Sequence, residues 1–210
     1  DAIYSYLHLQ YNGFFMLGIF ALFINHFIYK CDAGAQVKAK RFAIALSLSL
    51  LPTLFLSYLW HYPNAAVRTV AILGCILLVA VLVLFRILIR ALLQIIGEIN
   101  PFAKVIGALS MFAFWLKTTL QLGTVFPAIG NEVFSNRAVI IGYLNLVMLG
   151  FVTLYLLAYL VQIKYFHIGN RLTKTGIIVF VAAVIINELI LVTQGMAEMM
   201  MKNSLLYPWL

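Results

Sequence analysis

Thr69-Val-Ala-Ile-Leu-Gly-Cys-Ile-Leu-Leu-Val-Ala-Val-Leu-Val-Leu-Phe85 carries no charged residue. A run of this kind and length reads as a helix that crosses a lipid bilayer. Arg86 and Arg90 follow it at i, i+4, and then Gln94. These three snorkel toward headgroups on one face, while Leu88, Leu92, Leu93 and Ile96 keep the other face apolar. The helix therefore runs past the bilayer core into the interface, and Asn100-Pro101 ends it.

Five similar stretches surround it. The first span is read as Tyr4 to Tyr29, followed by a basic turn from Lys30 to Arg41 around Gly34. The second is Phe42 to Trp60, with Pro52 near its middle, where a kink is expected. His61-Tyr-Pro-Asn64 is a short turn. The fourth span is Ala103 to about Val125, with Lys117 and Gln121 inside it. Pro127 to Arg137 is the next loop. The fifth span is Ala138 to Ile163 and carries Asn145. A basic loop from Lys164 to Gly176 leads to the sixth span, Ile177 to about Thr193, which contains Asn187 and Glu188. The tail holds Met199 to Met201 and ends in Tyr207-Pro-Trp-Leu210; Trp209 and Tyr207 suit a membrane interface. Three adjacent methionines point in different directions on a helix, so they read as packing and not as a soft-metal site. No internal repeat is evident between the two halves.

Composition agrees. The 210 residues are 65% hydrophobic and 10% charged, with a mean hydropathy of +1.06. Soluble domains carry about 25% charged residues. The fold class is all-α: a polytopic transmembrane helix bundle of about six spans, read as one transmembrane helical domain over residues 1–210 in contact with the lipid bilayer. A β-barrel would show short alternating segments instead. The formal charge of +8 does not imply nucleic acid as a partner, because basic residues concentrate where topology requires them. Lys30, Lys38, Lys40, Arg41, Arg86, Arg90, Lys104, Lys164, Arg171 and Lys174 fall on one side of the spans, and Arg68, Arg137 and Lys202 on the other. By the positive-inside rule both termini face outward, in a multi-pass protein of a cytoplasmic membrane. The chain begins at Asp1 with no signal-peptide pattern, so processing or further upstream helices are expected. Cys31 and Cys75 form neither a disulfide framework nor a CxxC site.

Polar residues converge at one depth under this orientation. His8 and Asn12 share a face of the first helix at i, i+4, with Gln10 and Tyr11 beside them. Tyr58 and His61 stand at the outer end of the second, Lys117 and Gln121 in the outer half of the fourth, Asn145 in that of the fifth, and Asn187 and Glu188 in that of the sixth, below Gln194. Polar residues inside a membrane are costly and lean toward function, so a single site or water-filled cavity opening outward is expected. Each member also has a plainer reading. His8 is a metal-ligand candidate or a satisfied interhelical hydrogen-bonder. The asparagines are candidate interhelical ties. Lys117 and Glu188 are expected to pair, since an isolated ion at that depth is expensive. His26 and His167 look like interface residues. There is no Walker loop, dinucleotide fingerprint, HExxH or GxSxG nucleophile motif. Paired-carboxylate hydrolysis is disfavoured, because Glu188 is the only acid well inside a span.

Tyr6-Leu-His-Leu-Gln-Tyr-Asn-Gly-Phe-Phe15 resembles the H-L-H-F-Q-Y-N-G-W-F motif of a family of uncharacterised bacterial polytopic membrane proteins. The resemblance continues in Asn136-Arg137, in Tyr143-Leu-Asn-Leu-Val-Met-Leu-Gly150 and in Asn187-Glu-Leu-Ile-Leu-Val-Thr-Gln-Gly195. It covers what would be the family's carboxy-terminal half, and implies an upstream helical half with an H-A-H-S-H segment, in the bacterial inner membrane. Histidines on several helices also resemble, in arrangement only, the catalytic subunits of haem-copper oxidases and nitric oxide reductases. That implies haem or copper as cofactor, with His8 as metal ligand and Gln10, Asn12 and Asn145 in support. The departures are that Tyr6 and Asn145 stand where the family has histidine. One imidazole cannot supply a bis-histidine haem or a three-histidine copper site, so missing ligands would come from the upstream half or from other membrane subunits. Three roles stay open: a metal- or haem-associated redox protein, a small-solute or proton transporter, and a structural or assembly subunit.

Overall fold

The computed structural model describes residues 2–59, 64–92, 96–126, 129–130, 133 and 136–199. The protein is all-α, and six helices are long and apolar enough to cross a membrane. Helix α1 (2–28) is assembled from Ala2–His8, a π-helical segment Leu9–Phe15, and Met16–Ile28. Helices α2 (Ala33–Tyr58), α3 (Ala65–Leu92) and α4 (Pro101–Gly123) follow, with a short 3-10 turn Ile96–Glu98 before α4. Helix α5 (Arg137–Gln162) again contains a π segment, Leu146–Thr153. Helix α6 is Arg171–Met199.

The helices begin earlier than their apolar stretches suggest, because side-chain caps set the ends. Asp32 accepts the Ala35 N–H at 3.0 Å, so Lys38, Lys40 and Arg41 ride on the first turns of α2 and not in a loop. Asn64, Asn136 and Asn170 do the same for α3, α5 and α6, accepting from Val67, Val139 and Leu172 at 2.8, 3.1 and 2.9 Å. Each satisfies an otherwise orphaned helix N–H. Pro101 opens α4 at a position where no N–H is needed. Helix α2 continues through Pro52. The expected turn at 61–63, and Trp60, Gln94, Met200, Met201, Lys202, Tyr207 and Trp209, lie outside the described residues.

The chain divides into two compact units: 1–100 with 118–125, and 101–117 with 126–210. In the first, Phe20, Phe42 and Phe85 from α1, α2 and α3 meet with ring centroids 4.8, 5.9 and 6.1 Å apart. Leu56, Ala71 and Leu78 form a second patch, joined by Leu122 and Val125. Close approach of α2 and α3 depends on Gly74. A Cβ there would stand 2.9 Å from the backbone of Pro52 and Thr53. In the second unit α5 is the central element. Ser110 Oγ of α4 donates to the Phe151 carbonyl at 2.7 Å, and Phe114 packs on Phe151 at 5.5 Å. Helix α6 meets α5 on another set of residues, Gly142 against Leu191 and Val139 against Gly195.

Candidate functional site

Both π segments start at a residue the sequence marks. His8 immediately precedes Leu9–Phe15, and Asn145 immediately precedes Leu146–Thr153. A π turn widens the helix locally and often marks a functional position. Each junction carries a polar layer, one in each unit.

In the first unit His8 is buried. Its Nε2–H donates to the Leu50 carbonyl of α2 at 3.0 Å, and its Nδ1 accepts from Asn12 Nδ2 at 3.1 Å. The Thr53 hydroxyl lies 3.4 Å from Nε2 and itself donates to the Ser49 carbonyl at 2.7 Å. These roles assign the Nε2–H tautomer, because the Leu50 oxygen only accepts and the Asn12 amide nitrogen only donates. One turn away, Ser5 and Tyr58 hydroxyls bond across the same helix pair. The ring thus links α1 to α2, near the point where Pro52 removes a backbone donor. Asn12 Oδ1 is buried without a partner. Gln10 is half-buried and takes no part in this network. Tyr6 is 63% exposed, so a histidine at that position would point away from the His8 ring. His61, expected beside Tyr58, lies outside the described residues.

In the second unit Lys117 is buried, and its Nζ lies 6.0 Å from the centre of the Tyr143 ring, within cation–π range. Asn145 is two residues further along α5. The antiparallel packing of Gly142 on Leu191, continued three residues along each helix, brings Asn145 level with Glu188. Both Asn145 and Glu188 are half-buried. Asn187 Nδ2, Glu188 Oε1 and Gln194 Oε1 are buried atoms without hydrogen-bond partners in the chain. Asn136 Nδ2, by contrast, reaches the Gly195 carbonyl at 3.4 Å.

Among the described residues no direct ion pair joins Lys117 and Glu188. Similar depth is the basis for expecting it, but depth does not choose neighbours. Lys117 approaches α5 at Tyr143, whereas the helix carrying Glu188 meets α5 at Val139 and Gly142. Gln121 is buried and falls with the first unit, since the division passes between Lys117 and Thr118. Within each unit the sequence-marked residues fall into one layer, His8 with Asn12 in the first and Lys117, Asn145, Asn187 and Glu188 in the second. Sequence reading missed Ser49 and Thr53, whose hydroxyls and neighbouring carbonyls complete the first layer. Their i, i+4 spacing on the buried stripe of α2 was the available signal.

Among the described residues no group of three or more histidine, cysteine, aspartate or glutamate side chains is placed to hold a metal. At His8 the Nδ1 lone pair that a metal would need is engaged by Asn12. Outside the spans, Lys30 and Glu98 pair at 2.9 Å on the exposed surface. The lysine holds the Glu98 carboxyl below its ordinary range, chiefly through the hydrogen bond. Burial, and secondarily Asp32, raises the Cys31 thiol above its ordinary value, and its Sγ donates to the Phe27 carbonyl at 3.1 Å.

The fold and these layers define a class: an all-α multi-pass membrane protein with a polar layer at each of two α-to-π junctions. Comparison with protein-family models, curated proteins and solved structures finds no match.

Proposed function

We propose that the protein is a structural or assembly subunit of a larger complex in a bacterial cytoplasmic membrane, with His8 acting as an interhelical tie. The observation that carries this reading is that both ring nitrogens of His8 are engaged within the chain, by Leu50 and Asn12. An imidazole held in this way resists rotation and leaves no ready lone pair for a metal. The resemblance to bacterial polytopic proteins fits a subunit that works beside further helices, and the positive-inside bias supports an outward position for both ends of this chain. Absorption spectroscopy with metal analysis on the purified protein tests the reading. No haem band and no stoichiometric metal are expected, and a stoichiometric haem or copper would favour the redox role instead. For topology, a membrane-impermeant thiol reagent is expected to reach Cys31 only after the membrane is opened.

The transporter reading rests on a different observation, the buried Asn187 Nδ2 and Glu188 Oε1 without hydrogen-bond partners in the chain. A donor and an acceptor inside a span suit a passing hydroxylic solute or proton. Uptake by vesicles containing the protein, lost in Glu188→Leu, would favour it over assembly.

A further inference from the structure

Two stretches of this chain match in sequence and in backbone. Tyr6-Leu-His-Leu-Gln-Tyr-Asn-Gly13 and Tyr143-Leu-Asn-Leu-Val-Met-Leu-Gly150 share tyrosine, two leucines and glycine at the same spacing. Leucine is common in a membrane helix, but tyrosine and glycine at fixed distance are not. The π segment opens at the same point of both, at Leu9 and at Leu146. Segments of this type make up well under about 1% of residues in proteins, so a shared start argues against coincidence. Both glycines are buried. A Cβ at either would stand 3.3 Å from a side chain of another helix, from Leu50 of the hairpin partner α2 at Gly13 and from Ala113 of α4, outside the hairpin, at Gly150. Each motif helix also packs antiparallel on the next span. Phe20 meets Phe42 and His8 meets Leu50 in one hairpin, and Val139 meets Gly195 and Gly142 meets Leu191 in the other.

We infer that residues 2–58 and 137–199 are two copies of one helical hairpin, and that Asn145 holds the place of His8. Asn145 is then the positioning residue that ties α5 to α6, and its counterpart on α6 is Glu188. In the first copy the imidazole is long enough to reach the backbone of the next helix. In the second copy the amide is shorter, and the carboxylate of Glu188, whose Oε1 has no hydrogen-bond partner in the chain, stands level with it on α6. The halves look unrelated in sequence because the shared pattern is short and its flanks have diverged. The inference does not depend on the assembly reading, since two copies of a hairpin would serve any of the three roles.

The test uses the full chain in mild detergent. Asn145→His should place an imidazole opposite Glu188 and raise the unfolding midpoint by about 2–4 °C, the shift that about 1 kcal/mol gives in a chain of this size. In a Glu188→Leu background that gain should vanish. A second measurement survives if these variants fold poorly. In a Cys31→Ser, Cys75→Ala background, Gly142→Cys with Leu191→Cys should form a disulfide, because Cβ atoms at these positions lie 3.4 Å apart, close to the usual disulfide separation. Stronger cross-linking of Gly142→Cys with Glu188→Cys or with Gly195→Cys, about one turn to either side, would overturn the register. An equal effect of Asn145→His with and without Glu188 would overturn the tie.

Discussion

The first unit satisfies more of its polar layer than the second: among the described residues Asn12 Oδ1 is left without a partner in the first, and Asn187 Nδ2, Glu188 Oε1 and Gln194 Oε1 in the second. Around His8, every ring nitrogen meets a partner, and the hydroxyls of Ser5, Tyr58 and Thr53 bond across or along the same two helices. Around Asn145, Lys117 lies over an aromatic ring while Asn187 and Glu188 keep buried atoms without partners. The difference follows from what covers each layer. Helices α1, α2 and α3 pack mutually through three phenylalanines. Helix α6 is the least buried span, with 11% of an apolar 18-residue stretch buried against 28% or more in the others. A polar group within a lipid-facing span stays costly until something satisfies it. The second layer is therefore where a ligand or neighbouring helix has most to gain, and the first is where the fold itself benefits.

The largest effect expected from breaking this contrast is at Gly74. Its missing Cβ faces backbone, which cannot move aside, so Gly74→Leu should separate α2 from α3 and cost about 3 kcal/mol or more. Gly195→Ala in the second unit should cost clearly less, because the obstacle is the Val139 side chain at 2.8 Å, which can change rotamer. Thermal unfolding of both variants in detergent checks the order. A larger loss at Gly195 would mean the second unit is the more tightly packed.

Next comes His8→Ala. It removes one of the donors to the Leu50 carbonyl, which keeps Thr53 Oγ1 at 3.1 Å, takes the acceptor from the Asn12 amide and leaves a small cavity, a loss of about 1–3 kcal/mol. Asn145→Ala should lose less, at most about 0.6 kcal/mol, the average worth of a hydrogen bond between membrane helices. Equal losses would erase the distinction between the two layers. The smallest effects lie outside the spans. Glu98→Gln removes an exposed ion pair and should leave the unfolding midpoint unchanged. Cys31 labelling should be slow near neutral pH and accelerate as pH rises, because burial keeps the thiol protonated.

All six spans were legible in the sequence, because an apolar run bounded by Lys, Arg, Asn and Gly has few other readings in water or lipid. Their ends were less so. Apolar content stops at the bilayer edge, but Asp32, Asn64, Asn136 and Asn170 let the helices run on. His8 and Asn12 were legible as a pair, since i, i+4 spacing survives any tertiary arrangement. The expected Lys117–Glu188 pairing rests on equal depth alone, and depth leaves the choice of neighbouring helix undetermined. The π segments were not legible in the sequence, because propensity carries no signal for them; the recurrence of Tyr-Leu-x-Leu-x-x-x-Gly is recognised only once both segments are seen in the structure.

Whether His8 is a tie between helices or a ligand is decided most directly by the visible absorption spectrum and metal content of the purified protein, taken beside His8→Ala. A tie predicts no haem band and no stoichiometric metal in either sample, with the variant differing only by a lower unfolding midpoint. Stoichiometric haem or copper in the native protein, lost in His8→Ala while the fold persists, would contradict it.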